Sequence, residues 1–231
     1  MRSLTCALAA TTFMAVPALA QTTLLIDDFT MGTVDESTRS SGSGDQLDAD
    51  NALGGARHTT WDVVSNPLLT RFNLQIAFQG VPGLAASMGT SNATNLGLTY
   101  GGSGASPNFL PLSLDLVGDG YNAVELDFGS VDLEMRVAIE LIDYDGGYLA
   151  GRAMTTVVVP ASAGQTLTVD FASFSTVGGF DFSDVDAVQF VFNSTDLPDR
   201  DFFLNELRFV PSPGAVALLG LGGLAAVRRR R

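Results

Sequence analysis

The chain has 231 residues, 46% of them hydrophobic and 16% charged, with fifteen Phe, which is enough apolar material for a core and excludes a disordered composition. The formal charge is −13, but Arg2 and Arg228 to Arg231 sit in the terminal segments, leaving seven Arg against 25 acids, a net of −18 for the body, which repels nucleic-acid phosphates and anionic lipid heads. There is no Lys and the single Cys is Cys6, so lysine chemistry, disulfides and cysteine metal sites are excluded from the body.

In chain order, Met1-Arg2-Ser3 is a short positive start, Leu4 to Val16 is an apolar stretch, and Ala18-Leu19-Ala20 is a small-x-small cleavage pattern. Together they predict a secretory signal peptide over residues 1–20, cut between Ala20 and Gln21.

Beyond it, short alternating or β-branched runs recur at 23–29, 59–64, 72–78, 96–100, 112–116, 123–128, 135–143, 154–159, 166–171, 187–192 and 202–209. Turn-forming Gly, Pro, Asn, Asp and Ser separate them, and no long amphipathic helix interrupts them. Period two is clearest where Val124, Leu126 and Phe128 alternate with Glu125 and Asp127, and where Leu167, Val169 and Phe171 alternate with Thr168 and Asp170. These strands predict one buried and one wet face. Thr155 to Val159 is continuous instead, and reads as a strand covered on both sides. The acidic, Ser/Gly-rich stretch 35–55 reads as a long surface loop, and 101–108 as a turn. The expected fold is all-β, a two-sheet β-sandwich of jelly-roll type, in one domain over residues 21–209.

Site chemistry within this body is sparse. His58 is the only histidine and no Gly-x-Ser-x-Gly elbow is present, so neither a serine triad nor a histidine zinc site is expected. With 25 acids some carboxylate pair will meet glycosidase spacing by chance, so acid content does not predict an enzyme. The loop acids at Asp45 to Asn51, Asp143 to Asp145 and Asp196 to Asp201 suit either turns or calcium. Asp143-Tyr144-Asp145-Gly146-Gly147 in particular reads as a hairpin turn. Sugar binding uses aromatic faces beside polar groups; Trp61, Tyr100, Tyr121, Tyr144 and Tyr148 are the candidates, and Tyr144 and Tyr148, which flank one loop, are the ones selected as ligand contacts.

The chain ends in Val210-Pro211-Ser212-Pro213, an uncharged run from Gly214 to Val227, and Arg228, Arg229, Arg230 and Arg231. As a helix that run reaches about 21 Å, short of a hydrocarbon core of about 30 Å, although arginine stems extend it. The arginines place its C-terminal end on the cytoplasmic side. This three-part order, over residues 210–231, resembles the bacterial PEP-CTERM sorting signal, with Ser212 standing where that family has Glu. The resemblance implies a short transmembrane helix, recognition by an exosortase-type membrane processing enzyme, export, and residence at the cell surface or in an extracellular polysaccharide matrix.

A second resemblance joins Ile26-Asp27-Asp28-Phe29, Gly54-Gly55-Ala56-Arg57, Asp184 to Phe190 and Phe202 to Leu207. These motifs resemble galactose-binding-like jelly rolls, the fold of many carbohydrate-binding modules. It implies a structural calcium held by Asp28 with Asn205 or Glu206. Three functions stay open at this point: a structural or adhesive matrix protein associated with exopolysaccharide, a calcium-stabilised carbohydrate-binding module, and a secreted glycan-active enzyme. The non-enzymatic first reading is the one expected.

Overall fold

The computed structural model describes residues 22–106 and 108–211. The signal peptide with its Ala20/Gln21 cleavage point, and the sorting tail from Ser212 onward with its transmembrane run and arginines, lie outside the described residues.

The body is an all-β sandwich of two antiparallel seven-stranded sheets. Its strands are β1 (Leu24–Asp27), β2 (Val34–Thr38), β3 (Gly42–Gln46), β4 (Arg57–Ser65), β5 (Phe72–Ile76), β6 (Leu84–Met88), β7 (Ala93–Gly101), β8 (Ala123–Val131), β9 (Met135–Asp145), β10 (Tyr148–Val159), β11 (Gln165–Asp170), β12 (Ser175–Gly178), β13 (Ala187–Phe192) and β14 (Phe202–Val210). The first sheet runs β11-β8-β14-β6-β5-β2, and β1 also pairs with β14. One edge of β14 is thus shared, β6 taking Phe202 to Leu204 and β1 taking Leu207 to Phe209. The second sheet runs β12-β10-β9-β13-β7-β4-β3.

The inward halves of the alternating patterns meet in one core between the sheets. Val124, Leu126 and Phe128 are buried on β8, while Glu125 and Asp127 face outward and are paired by Arg208 and by Asn205 and Thr166. Phe128, Phe192 and Phe202 form one aromatic cluster, with Phe192 and Phe202 stacked at 5.1 Å between ring centres. Such rings each remove a large apolar area from water and fix the separation of the sheets.

Several expectations change. The stretch 35–55 is not a loop throughout: β2 and β3 form within it, one at the edge of each sheet, and residues 39–41 carry the chain from one sheet to the other. Both are short edge strands of polar composition, which periodicity cannot separate from a loop. A Cβ on Gly42 would lie 2.7 Å from Trp61 Cζ2, so a strand residue without a side chain is what lets the indole pack there. Thr155 to Val159 is not covered on both sides: Thr156 and Val158 are exposed while Val159 is buried. The run 112–116 makes a single bridge, Leu114 with Val185, rather than a strand. Strands β6 and β12, rich in Ala, Ser, Thr and Gly, carry little β signal and are supplied by pairing.

Candidate functional site

Strand register places one outward residue from each strand of the second sheet in a single row. Its order is Asp45, His58, Thr99, Gln189, Glu140, Met154, Ser175, each the Cα partner of the next. The sequence neighbours of the central members, Leu98 and Tyr100, Val188 and Phe190, Ile139 and Leu141, are all buried, which fixes the row on the outer face. Seven strands at about 4.8 Å spacing give it a length of about 29 Å.

Two further rows flank it. On one side, in register, stand Ser43, Thr60, Gly97, Val191, Ala138 and Thr156; on the other, Gly101, Ala187, Ile142, Arg152 and Val177. A Cβ on Gly97 would be 2.3 Å from Thr60 Oγ1, so the threonine hydroxyl lies over the glycine, and one on Gly101 would be 2.4 Å from Leu112 Cγ, so Leu112 covers that end of the other row, where Ala187 is also buried. Thr99, Gln189 and Glu140 are half-buried, part of each reaching solvent. At the β9-β10-β12 end the surface dips into a depression of about 480 Å³ lined by Glu140, Arg152, Met154, Thr156 and Ser175. There Arg152 Nη1 sits 3.1 Å from Glu140 Oε1, setting a cationic donor beside a carboxylate acceptor.

An aromatic group stands toward each end. Tyr144 continues the outward column of β9 through Glu140 and Ile142, and its phenol is pushed up by partial burial and by the negative charges of Glu140 and Asp186. Near the other end His58 contacts the Asp45 carboxylate and the Phe109 ring, whose centre is 5.8 Å away at 78°.

Tyr148 is 82% exposed at the hairpin end. Gly146 and Gly147, at φ 58° and 88°, make the two-residue turn, bearing out the hairpin reading. Tyr148 is the partner of Asp145 and Tyr144 that of Leu149, so register directs the two tyrosines to opposite faces of the ribbon. The other aromatic candidates are structural. Trp61 is buried and donates Nε1–H to Ser40 O, Tyr100 is fully buried and donates its hydroxyl to Asp27 Oδ2, and Tyr121 packs against Phe209.

The residues expected to hold calcium stand in separate hydrogen-bond sets. Asp28 Oδ1 accepts from Thr30 N–H and Oγ1–H, Asn205 Nδ2 donates to Asp127 Oδ2, and Glu206 pairs with Arg208 Nη1. Among the described residues no three His, Cys, Asp or Glu side chains are grouped so that they could hold a metal ion. The neighbouring Asp27 instead meets the buried Arg57 guanidinium. Arg57 also donates to Gln46 Oε1 at 3.2 Å, Met31 O at 3.1 Å and Gly32 O at 2.7 Å. Four oxygens from three segments thus surround an organic cation, which lies 5.5 Å from the centre of the Phe29 ring.

A second acidic group lies behind the Tyr144 hairpin. Asp143 is 9% exposed, and its carboxyl is pushed up by burial and then by Asp184, Asp186, Asp145 and Asp181. Asp186 bridges it on both sides, its N–H donating to Ile142 O and its Oδ2 accepting the Tyr144 N–H.

The sequence points to Tyr144 as a ligand contact but not to Thr99, Gln189, Glu140, Arg152 or Phe109. Alternation marks Thr99, Gln189 and Glu140 as outward on their own strands, and only the pairing of strands distant in sequence sets those three in one line.

No protein-family model and no curated protein matches the chain. Among solved structures it is similar to the family 11 carbohydrate-binding module of a cellulosomal cellulase of Clostridium thermocellum, at 14% identity and a TM-score of 0.45, covering 84% of this chain and 96% of that one. A family 11 module from the same organism in complex with a β-1,3-1,4-mixed-linked tetrasaccharide gives 14% identity and 0.45, covering 82% and 96%. The family 30 module of another cellulosomal cellulase of that organism gives 15% identity and 0.43, covering 82% and 99%.

Proposed function

We propose that this chain is an exported, non-enzymatic carbohydrate-binding protein of the cell surface or extracellular matrix, and that a polysaccharide lies along the outer face of the second sheet. The observation that carries the reading is the row from Asp45 to Ser175, six of whose seven members are polar. A sugar chain presents hydroxyls that both donate and accept. The row answers with carboxylate acceptors at Asp45 and Glu140 and with groups able to do both at Thr99 and Gln189, and Arg152 beside it adds a donor next to Glu140. Tyr144 offers a ring to an apolar sugar face. The body's net charge of −18 favours a neutral chain over an anionic one.

The address belongs to the same proposal and rests on the termini. A signal peptide cut after Ala20 exports the chain, the tail spans the inner membrane with Arg228 to Arg231 cytoplasmic, and an exosortase-type enzyme processes it near Pro211 to Pro213. Structural calcium has no part in this reading.

Affinity electrophoresis of the purified protein through gels containing neutral or anionic polysaccharides tests the binding. Retardation by a neutral polymer that weakens on Gln189→Ala or Glu140→Ala is expected; equal mobility in every gel defeats the reading. The intact mass of the mature protein tests the address, a C-terminus near Pro211 to Pro213 being expected and one retaining Arg231 excluding processing.

A further inference from the structure

The opposite face of the sandwich carries an aromatic on its central strand that the core does not absorb. On β14, Phe202 points into the core and is buried, so Phe203 points out through the first sheet, where its Cα partners are Ala85 on β6 and Ser130 on β8. The ring lies down on that sheet. A Cβ on Gly83 would be 2.2 Å from its Cζ, and one on Gly129 would be 2.6 Å from its Cδ1, so glycines on two sides make room beneath it. Glycine in a strand often marks such a close approach. The ring is half-buried, so part of it reaches the outside.

Depressions border the ring on both sides. One, of about 700 Å³, is lined by Ser130, Asp132, Ser162 and Asp201 beside Val131 and Ala161; the other, of about 220 Å³, by Gln75 and Gln79 beside Phe78 and Val81; Phe203 and Ala85 belong to both. Ser162 Oγ is enclosed and has no hydrogen-bond partner, which leaves a donor and acceptor unanswered in the wall of the larger one. Asp132 and Asp201 each use one carboxylate oxygen on backbone N–H groups, of Leu133 and Asp201 and of Met88 respectively. No Arg lines either depression.

We propose that Phe203 is a second carbohydrate platform, taking one pyranose ring of a neutral polysaccharide on the face opposite the polar row. An apolar ring rimmed by amides, hydroxyls and carboxylates suits a sugar, whose C–H face stacks while its hydroxyls reach outward. Phosphate headgroups and acidic peptides are disfavoured by the two carboxylates. With the polar row also occupied, which rests on the reading above, one molecule bridges two polysaccharide chains.

The test uses the full chain with soluble mixed-linked β-glucan and soluble galactan as probes, read by affinity electrophoresis and by agglutination of beads coated with the same polymers. The unsubstituted protein is expected to bind and agglutinate. Phe203→Ala should abolish agglutination and weaken the remaining binding by up to about tenfold, while Phe203→Tyr keeps both. Gln189→Ala should abolish agglutination while leaving binding through Phe203. A thermal melt of Phe203→Ala unchanged from the parent makes its loss of agglutination a binding effect. Unaltered binding and agglutination in Phe203→Ala overturns the second platform and leaves the polar row standing. Loss of all binding in Phe203→Ala, with Gln189→Ala unaffected, supports Phe203 and overturns the row. No interaction of the unsubstituted chain with either polymer overturns both.

Discussion

Arg57 Nη1 lies 2.5 Å from Asp27 Oδ2, with both side chains sealed from solvent. The pair ties β4 of the second sheet to β1 of the first, and the guanidinium also gathers the Met31 and Gly32 carbonyls of the intervening loop. Burial pushes the Asp27 carboxyl up, and Arg57 and the hydrogen bonds from Phe29 N–H and Tyr100 draw it back. Removing one partner leaves the other uncompensated in the core. Arg57→Met is therefore expected to cost about 3–5 kcal/mol in urea denaturation. Arg57→Lys should restore only part, because an ammonium cannot fork to the carboxylate and both carbonyls.

The same guanidinium supplies a cation at the end of β1, where the jelly-roll resemblance implied calcium. The melting temperature is expected to be the same in EDTA and in millimolar calcium. A rise of several degrees in calcium would show a native-state ion site.

Asp143 gives a dependence on pH whose sign follows from its surroundings. Burial and four neighbouring aspartates raise its native carboxyl above the usual value of 3.8, so between the two values the native state binds more proton than the unfolded state. That stability is fully present below the usual carboxylate range and is lost as pH rises through the native value. Asp143→Asn should raise the melting temperature at about pH 7, with the gain shrinking toward about pH 4. Scanning calorimetry at the two pH values reads the difference.

Gly97 stands in the row beside Thr99 and Gln189, with the Thr60 hydroxyl over it. Gly97→Val puts a branched side chain where Thr60 Oγ1 now lies, 2.3 Å from the Cβ position. A stability cost of about 1–3 kcal/mol is expected, together with loss of polysaccharide retardation in a protein that remains folded by circular dichroism.

The aromatic cluster provides a control for effects on folding alone. Phe192, fully buried and stacked on Phe202, should cost about 3–5 kcal/mol when replaced by Ala. Where this variant still folds, its polysaccharide affinity is expected to match the parent's, since no atom of Phe192 reaches the outer face.

Much of the fold was legible because burial has a period. Alternation in β8, β9 and β13 marks which residues face the core, and Gly146-Gly147 marks the hairpin between β9 and β10. Strands β2, β3, β6 and β12 were not legible, because their polar or small residues resemble loops and their backbone is ordered by neighbours distant in sequence. Tyr144 and Tyr148 flank one hairpin in the sequence, and register turns them to opposite faces of the ribbon, which adjacency across a turn does not reveal.

The chain's own order determined the class of molecule: an acidic, lysine-free, all-β body between a leader-like start and an arginine-sealed end. Tertiary structure decided which residues act together. Thr99, Glu140 and Gln189 lie on three strands far apart in sequence and become neighbours only when antiparallel register sets their Cα atoms opposite one another. Asp27 and Arg57, separated by thirty positions, become an ion pair only because the sandwich closes over both and removes the water that would otherwise screen them.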